Sequence, residues 1–316
     1  MMWNMGYRRG VNLGGWLSQC DYSEERLQHF IKEEDIRRIA AWGMDHIRIP
    51  VDYNVLEDEN GQPIERGCER LEWAMNVAAD CGLKVVLDLH KTAGFSFDSG
   101  EKETGFFSDE GYQERFCRLW ERLAQRFGDR PTQVAFELLN EVTEPSFIDA
   151  WNRISTACIR RIRAFAPDTL ILVGSYWNNH AKAVKDLALP VDDKVIYNFH
   201  CYEPLAYTHQ GAGWVKDLDR NARIAFEDSG ATEAYFEGLF APAIEAAKKA
   251  GTSLYCGEYG VIDVVPTADA IKWFGAINAV LERHHIPRAV WSYKRMSFGV
   301  SDAYWDDLRD ELLRVL

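Results

Sequence analysis

Two short segments of this sequence put carboxylates where chemistry needs them. Ala135 to Val142, AFELLNEV, has the apolar content of a buried strand but carries Glu137, Asn140 and Glu141. Tyr255 to Gly260, YCGEYG, places Glu258 in a similar setting. Polar groups cost free energy in such places unless they are paired or used. Neither Glu141 nor Glu258 has a cationic neighbour in sequence. Such a pair fits a reaction in which one carboxylate attacks while the other supplies a proton, and retaining glycosidases hold the two roughly 5 to 5.5 Å apart. Charges that close disfavour each other, so one pKa rises and that group keeps its proton near neutrality. Glu141 is expected to be the protonated acid and Glu258 the ionised nucleophile, with a bell-shaped rate profile on the acidic side of neutral. Alternation puts Ala135, Glu137, Leu139 and Glu141 on one face of the strand. Glu137 then lies too deep to meet a substrate and needs a buried partner. Asn140 has the opposite parity.

The elements that must position these groups follow from periodicity. Short apolar strands are expected at Gly10 to Leu13, His46 to Ile49, Val85 to Leu89, Val134 to Leu139, Leu170 to Val173, Val195 to Phe199, Ser253 to Cys256 and Arg288 to Trp291. Amphipathic helical patterns lie between them, among them EEDIRRIAAWG and YQERFCRLWERLAQRFG, and several end at Gly. Eight such strands, each followed by a helix or a loop able to hold a short one, imply a parallel sheet closed on itself. The expected fold is a single-domain (β/α)8 TIM barrel over 1–316, with longer loops at about 50–67, 91–111 and 201–232. All three follow strands, so they share the face that carries active sites in this fold.

The strand ends on that face read Asn12, Arg48, His90, Asn140-Glu141, Trp177-Asn178, His200 and Tyr202, Glu258, and Trp291. One strand-end His or Trp is ordinarily structural, but a ring of polar and aromatic tips converging on one cavity describes a site. Among the aromatic residues on the upper loops (Phe95, Phe97, Phe106, Phe107, Tyr176, Trp177, Tyr207, Trp214 and Phe298), Trp177 and Trp214 are the candidate sugar platforms.

Bulk properties exclude several classes. The 316 residues are 47% hydrophobic and 27% charged, ordinary globular material. A formal charge of -13 argues against a nucleic-acid partner, because phosphates are bound by clustered Lys and Arg. No apolar run approaches the roughly 20 residues that span a bilayer. The start MMWNMGYRRG lacks the apolar stretch of a secretion signal, so the chain as it stands is expected in the cytosol, or outside the cell if a signal has been removed. Seven scattered cysteines without CxxC pairs oppose structural zinc or a disulfide framework.

The motifs RGVNLGGW, HIRIPVDY, VVLDLH, FELLNE, YNFHCYEP, YCGEYGV and WSYK resemble, in order and over essentially the whole chain, the strand motifs of glycoside hydrolase family 5, cellulase family A. Within that family the sequence is most similar to the clostridial endoglucanase C type, whose strand-six loop resembles YTHQGAGW at Tyr207 to Trp214. The resemblance implies retaining cleavage of β-linked glucans or mannans without metal or other cofactor. It makes Glu141 the acid/base and Glu258 the nucleophile, with Arg48 and Tyr202 bonded to the latter. It also implies that His90, Asn140 and His200 line the non-reducing-side subsite, Asn140 on the 2-hydroxyl, over a Trp291 floor. The implied substrate is a β-glucan or cello-oligosaccharide with β-1,4 or mixed β-1,3/1,4 bonds cut internally, by a monomer. The chain departs from the family at HKTAG, where Lys91 and Ala93 stand in place of the common His and Pro and a less rigid turn is expected. Its strand-six insertion is shorter, which is expected to open one end of the cleft.

Competing readings within the family are a β-mannanase or glucomannanase and an exo-acting β-glucosidase. Outside it stand a non-catalytic sugar-binding barrel and a metal-dependent barrel hydrolase using Asp88, His90, His200 and Glu258.

Overall fold

Along His46–Asp52 and Lys84–Lys91 every second side chain is apolar and faces outward: Ile47, Ile49 and Val51 on one, Val85, Leu87 and Leu89 on the other. The residues between them face inward, Arg48 on the first and Val86, Asp88 and His90 on the second, because a strand alternates its side chains between two faces. A computed structural model shows this pattern around a full ring and describes residues 2–98 and 100–316; Met1, and Ser99 within the expected 91–111 loop, lie outside the described residues.

The eight strands are β1 Arg9–Asn12, β2 His46–Asp52, β3 Lys84–Lys91, β4 Val134–Glu137, β5 Ile171–Gly174, β6 Val195–Cys201, β7 Leu254–Tyr259 and β8 Arg288–Val290. All pairings are parallel and in sequence order, and β8 pairs with β1 to close the barrel. Helices α1 Glu33–Ala41, α2 Glu65–Asp80, α3 Glu110–Phe127, α4 Ile148–Arg163, α5 Glu233–Ala250, α6 Thr267–Arg283 and α7 Arg309–Val315 surround it. A short 3-10 helix, Ala181–Asp186, takes the place of a long helix after β5. Local chemistry sets several ends. The Asp109 carboxylate accepts from Gly111 N at the start of α3, Thr232 caps α5 through Tyr235 N, and Gly251 ends α5 in left-handed backbone. No helix among the described residues is long and apolar enough to cross a membrane.

Two apolar layers result. The larger lies between sheet and helices and holds Trp120, Trp151 and Trp273, all fully buried. Each Leu, Ile or Phe there contributes about 1.5–3 kcal/mol by leaving water. The smaller fills the bottom of the barrel with Met2, Tyr7, Val86, Ala135, Leu172, Ile196 and Tyr255 among others. Above that plug the interior turns polar, at Asn12, Arg48, Asp88, Glu137 and Asn198, all fully buried. The site sits on this polar layer.

Two details differ from simple alternation. Regular β4 ends at Glu137, two residues short of the expected Leu139, and Leu139 joins the outer apolar layer instead of facing inward. On β7 the register steps from Phe199 opposite Cys256 to His200 opposite Glu258, leaving Gly257 as an extra residue. This bulge reverses the parity: Tyr255 faces the barrel interior, and without the bulge Glu258 would face the helices.

Candidate active site

Arg48 organises the floor. Its Nε and Nη2 donate to the two oxygens of Glu137, each at 2.7 Å, and Nη1 donates to Glu258 Oε1 at 2.7 Å. Further contacts reach Asn12 Oδ1 and Asn140 Oδ1, each at 2.9 Å, and Asp88 Oδ2 at 3.0 Å. A planar guanidinium with five fixed donors suits this task, where a lysine would not. Glu137 thus has the cationic partner its depth requires, and Asn198 Nδ2 donates to it as well at 2.8 Å. Three carboxylates around one fully buried cation exceed its charge, and burial lifts the Asp88 pKa to about 7 despite Arg48.

Glu258 is presented by the bulge. Gly257 N donates to Asn198 Oδ1, and Gly257 O accepts from Asn12 Nδ2, each at 3.0 Å. A side chain at 257 has no room, since a Cβ would stand 2.9 Å from Asn198 Oδ1 and 2.9 Å from His200 Nε2. Tyr202 donates its hydroxyl to Glu258 Oε2 at 2.8 Å, so with Arg48 both carboxylate oxygens are held.

Glu141 stands on the segment after β4, which has begun to turn: Asn140 N donates to Leu89 O on β3 at 3.0 Å. That turn brings Asn140 inward against its parity, its Oδ1 on Arg48 and its buried Nδ2 without a partner among the described residues. Glu141 Oε1 lies 2.7 Å from His200 Nδ1, and Oε2 accepts from Asn178 Nδ2 at 2.8 Å. Burial is the main reason its pKa is raised to about 7, with Glu203 adding to it and Asn178, His90 and Arg48 opposing. The sequence reading assigned this rise to the second carboxylate; desolvation is the larger cause. Burial also holds His200 and His90 down to about 4, so both imidazoles are neutral at working pH. One oxygen of Glu141, one of Glu258 and one ring nitrogen of His200 lie within 4.8 Å of one another. Those three atoms could close on a cation. The four-residue metal set considered from sequence does not form, because Asp88 is turned to Arg48 and to His90 Nδ1, the latter at 2.7 Å.

A cleft of about 730 Å³ opens above these groups. His90, Glu141, Trp177, His200, Tyr202, Trp214, Glu258 and Trp291 all line it. Arg48 and Asn140 are buried beneath. Trp291 is stacked on His90, with centroids 5.7 Å apart and planes within 2°; it directly follows β8, and its peptide bond to Ser292 is cis. Its ring occupies space that any side chain at Gly14 would fill, a Cβ there standing 2.7 Å from the indole. Trp177 and Trp214 are exposed, at 52% and 61%. The other loop aromatics divide. Phe97 and Phe298 reach the cleft, whereas Phe95, Phe106 and Phe107 pack together beside it and Tyr207 is fully buried.

Gln19, His180, Glu203, His209 and Met296, which the sequence does not mark, also line the cleft, as does Asn178, which the sequence places at a strand end without a role. Asn178 had a visible signal, standing beside Trp177 at a strand end; the others lie on loops without periodicity. The HKTAG turn is bonded on several sides. Thr92 and Phe95 exchange backbone hydrogen bonds, Gly94 N donates to Glu103, and Lys91 Nζ is bonded to Glu101 and Tyr22.

The chain matches the model of the family "Cellulase (glycosyl hydrolase family 5)" over residues 9–297. Cellodextrinase A of Ruminococcus flavefaciens is 56% identical over 288 residues, covering 91% of this chain and 86% of that protein. Endoglucanase C of Acetivibrio thermocellus is 33% identical over 344 residues, covering 99% and 98%. Among solved structures, endoglucanase Cel5A from Thermotoga maritima is similar with a TM-score of 0.85 and 26% identity, over 100% of this chain and 98% of that one. Sequence match, barrel and cleft agree, and the chain is a glycoside hydrolase of family 5.

Proposed function

We propose that this enzyme is a retaining β-glucanase that cleaves β-1,4-glucosidic bonds, alone or in mixed β-1,3/1,4 chains, within cello-oligosaccharides and soluble glucans. The observation that carries the mechanism is the unequal setting of two nearby carboxyls. Glu258 is fixed by Arg48 and Tyr202, while Glu141 is buried and keeps its proton up to about pH 7. In the first step Glu258 attacks the anomeric carbon, the glycosidic C–O bond breaks, and the Glu141 proton passes to the departing oxygen. In the second, Glu141 takes a proton from water as the water oxygen displaces Glu258, and the original anomeric configuration returns. Asn140 Nδ2, without a partner among the described residues, is available for the sugar 2-hydroxyl, where a bond that strengthens in the transition state counts most. Trp291 supplies an apolar floor, and Trp177 and Trp214 flank the cleft as platforms. No metal is required.

The relatives support the proposed substrate class. One at 56% identity is named a cellodextrinase, one at 33% an endoglucanase, and a similar Thermotoga maritima Cel5A structure carries cellobiose. Cel5A is also described with mannotriose at 26% identity, which makes glucomannan the comparison substrate. Products from cellotetraose, barley β-glucan and glucomannan test the assignment. Cellobiose-sized products from cellotetraose, in a strong chelator, are expected; glucose as the sole early product would refute internal cleavage, and loss of activity restored by zinc would refute the metal-free mechanism. Glu258→Ala should fold and abolish turnover, whereas near wild-type turnover would remove Glu258 from its role.

A further inference from the structure

The turn after β5 carries three successive residues in left-handed backbone: Trp177, Asn178 and Asn179, with φ of 52°, 55° and 58°. Such residues are uncommon outside glycine, and three in a row persist only where their surroundings impose them. Here the imposing partner is the segment that bears Glu141. Trp177 N donates to Thr143 O at 3.1 Å and Asn178 N to Val142 O at 2.9 Å. Asn179 Nδ2 donates to Asn140 O. The turn is therefore tied to the backbone on both sides of Glu141. The side chain of Asn178 completes the attachment by donating to Glu141 Oε2 at 2.8 Å, and it faces the cleft.

His200 Nδ1 already occupies the other oxygen, Oε1. Around the carboxyl stand Arg48 and Asp88 from β2 and β3, His90 from β3, His200, Tyr202 and Glu203 from β6 and the loop after it, and Glu258 from β7. Asn178 differs from all of these: it bonds Oε2 while remaining uncharged at every pH. An amide N–H can only donate, so it favours the ionised carboxylate over the carboxylic acid.

We propose that Asn178 is a positioning residue for the acid/base, fixing Glu141 Oε2 and offsetting enough of its desolvation that one carboxyl can give up a proton in the first step and accept one in the second. The inference rests on Glu141 being the acid/base. Without Asn178 the acid would hold its proton more tightly, and the base step would suffer most.

The test uses Asn178→Gly, which suits the left-handed backbone, and Asn178→Asp, which keeps the shape but places a charge beside Glu141. The alkaline limb of kcat/KM on cellotetraose, which reports the free enzyme, is expected to move up by about 0.5–1 pH unit in Asn178→Gly. It should move further in Asn178→Asp. On an aryl cellobioside with an activated leaving group, where hydrolysis of the glycosyl-enzyme limits the rate, kcat should fall about tenfold. Azide, a nucleophile that needs no base, should restore it with formation of the glycosyl azide. A merely structural role would shift neither the limb nor the azide response, and an unmoved limb with no azide rescue would overturn the inference. Glu141→Gln, run in parallel, separates the two layers. If it abolishes the limb while both Asn178 variants leave it in place, only this inference fails. If Glu141→Gln itself keeps the limb, the acid/base reading falls and takes the inference with it.

Discussion

Glu141 and Glu258 are the same side chain in two settings, and in the proposed mechanism the settings divide the chemistry. Glu258 meets a guanidinium and a phenol. Glu141 meets a neutral imidazole, an amide and little water. Its pKa of about 7 fixes the sign of two outcomes. The proposed mechanism needs the protonated form first, so kcat/KM should fall as pH rises through about 7, and Glu141→Gln should lose that limb along with most activity towards unactivated substrates. Stability runs the same way. A carboxyl raised from 4.5 to about 7 contributes its full share of stability below pH 4.5 and loses it as pH climbs through 7, where a buried charge must form. Glu141→Gln should therefore be more stable than wild type at pH 8 by about 1–3 kcal/mol, with no gain near pH 4. Denaturant titrations at the two pH values check this; equal gains at both would show that the benefit does not come from titration of Glu141.

At the scale of elements, placement depends on where strands stop being regular. β7 presents Glu258 only because Gly257 is an extra residue, and space at that glycine is already taken by Asn198 and His200. Gly257→Ala should cost about 1–3 kcal/mol of stability through overpacking and lower kcat by about 10²-fold through displacement of the nucleophile. Thermal melting and steady-state rates measure both, and a variant with wild-type kcat would show that the bulge does not aim Glu258. This element also marks the limit of what the sequence revealed. Eight strands were legible because short apolar runs alternate with amphipathic helical patterns, and the depth of Glu137 followed from counting alternate residues along one of them. Bulges break that count without any signature beyond a glycine, which is why the place of Glu258 in the site follows from its position at a strand end and from family resemblance, and not from alternation. Asn140 shows the converse, being drawn inward by a turn that parity alone would deny. Loop residues such as His180, Glu203 and Met296 have no period to read and were missed.

Across the whole molecule the cleft is assembled from loops spread around the barrel, with Gln19 after β1, Phe97 after β3, Trp177 after β5, Trp214 after β6 and Phe298 after β8 all lining it. No single loop makes it, so binding should grow with substrate length until the cleft is filled. We expect kcat/KM to rise from cellotriose to cellotetraose. Trp177→Ala and Trp214→Ala should each reduce that rise by about 5- to 20-fold, in keeping with about 1–2 kcal/mol for an aromatic contact, without lowering the melting temperature, since both rings are exposed. Rates that are independent of chain length would mean that neither ring contacts substrate.

In the proposed mechanism Glu258 becomes covalently bonded to sugar during turnover, and trapping reads this directly. A 2-fluoro cellobioside with an activated leaving group, incubated with the enzyme and followed by peptide mass spectrometry, should leave one glycosyl group on the peptide containing Glu258, with loss of activity in step with labelling. A label on Glu141, or inactivation without any covalent sugar, would contradict the assignment of nucleophile and acid on which the account stands.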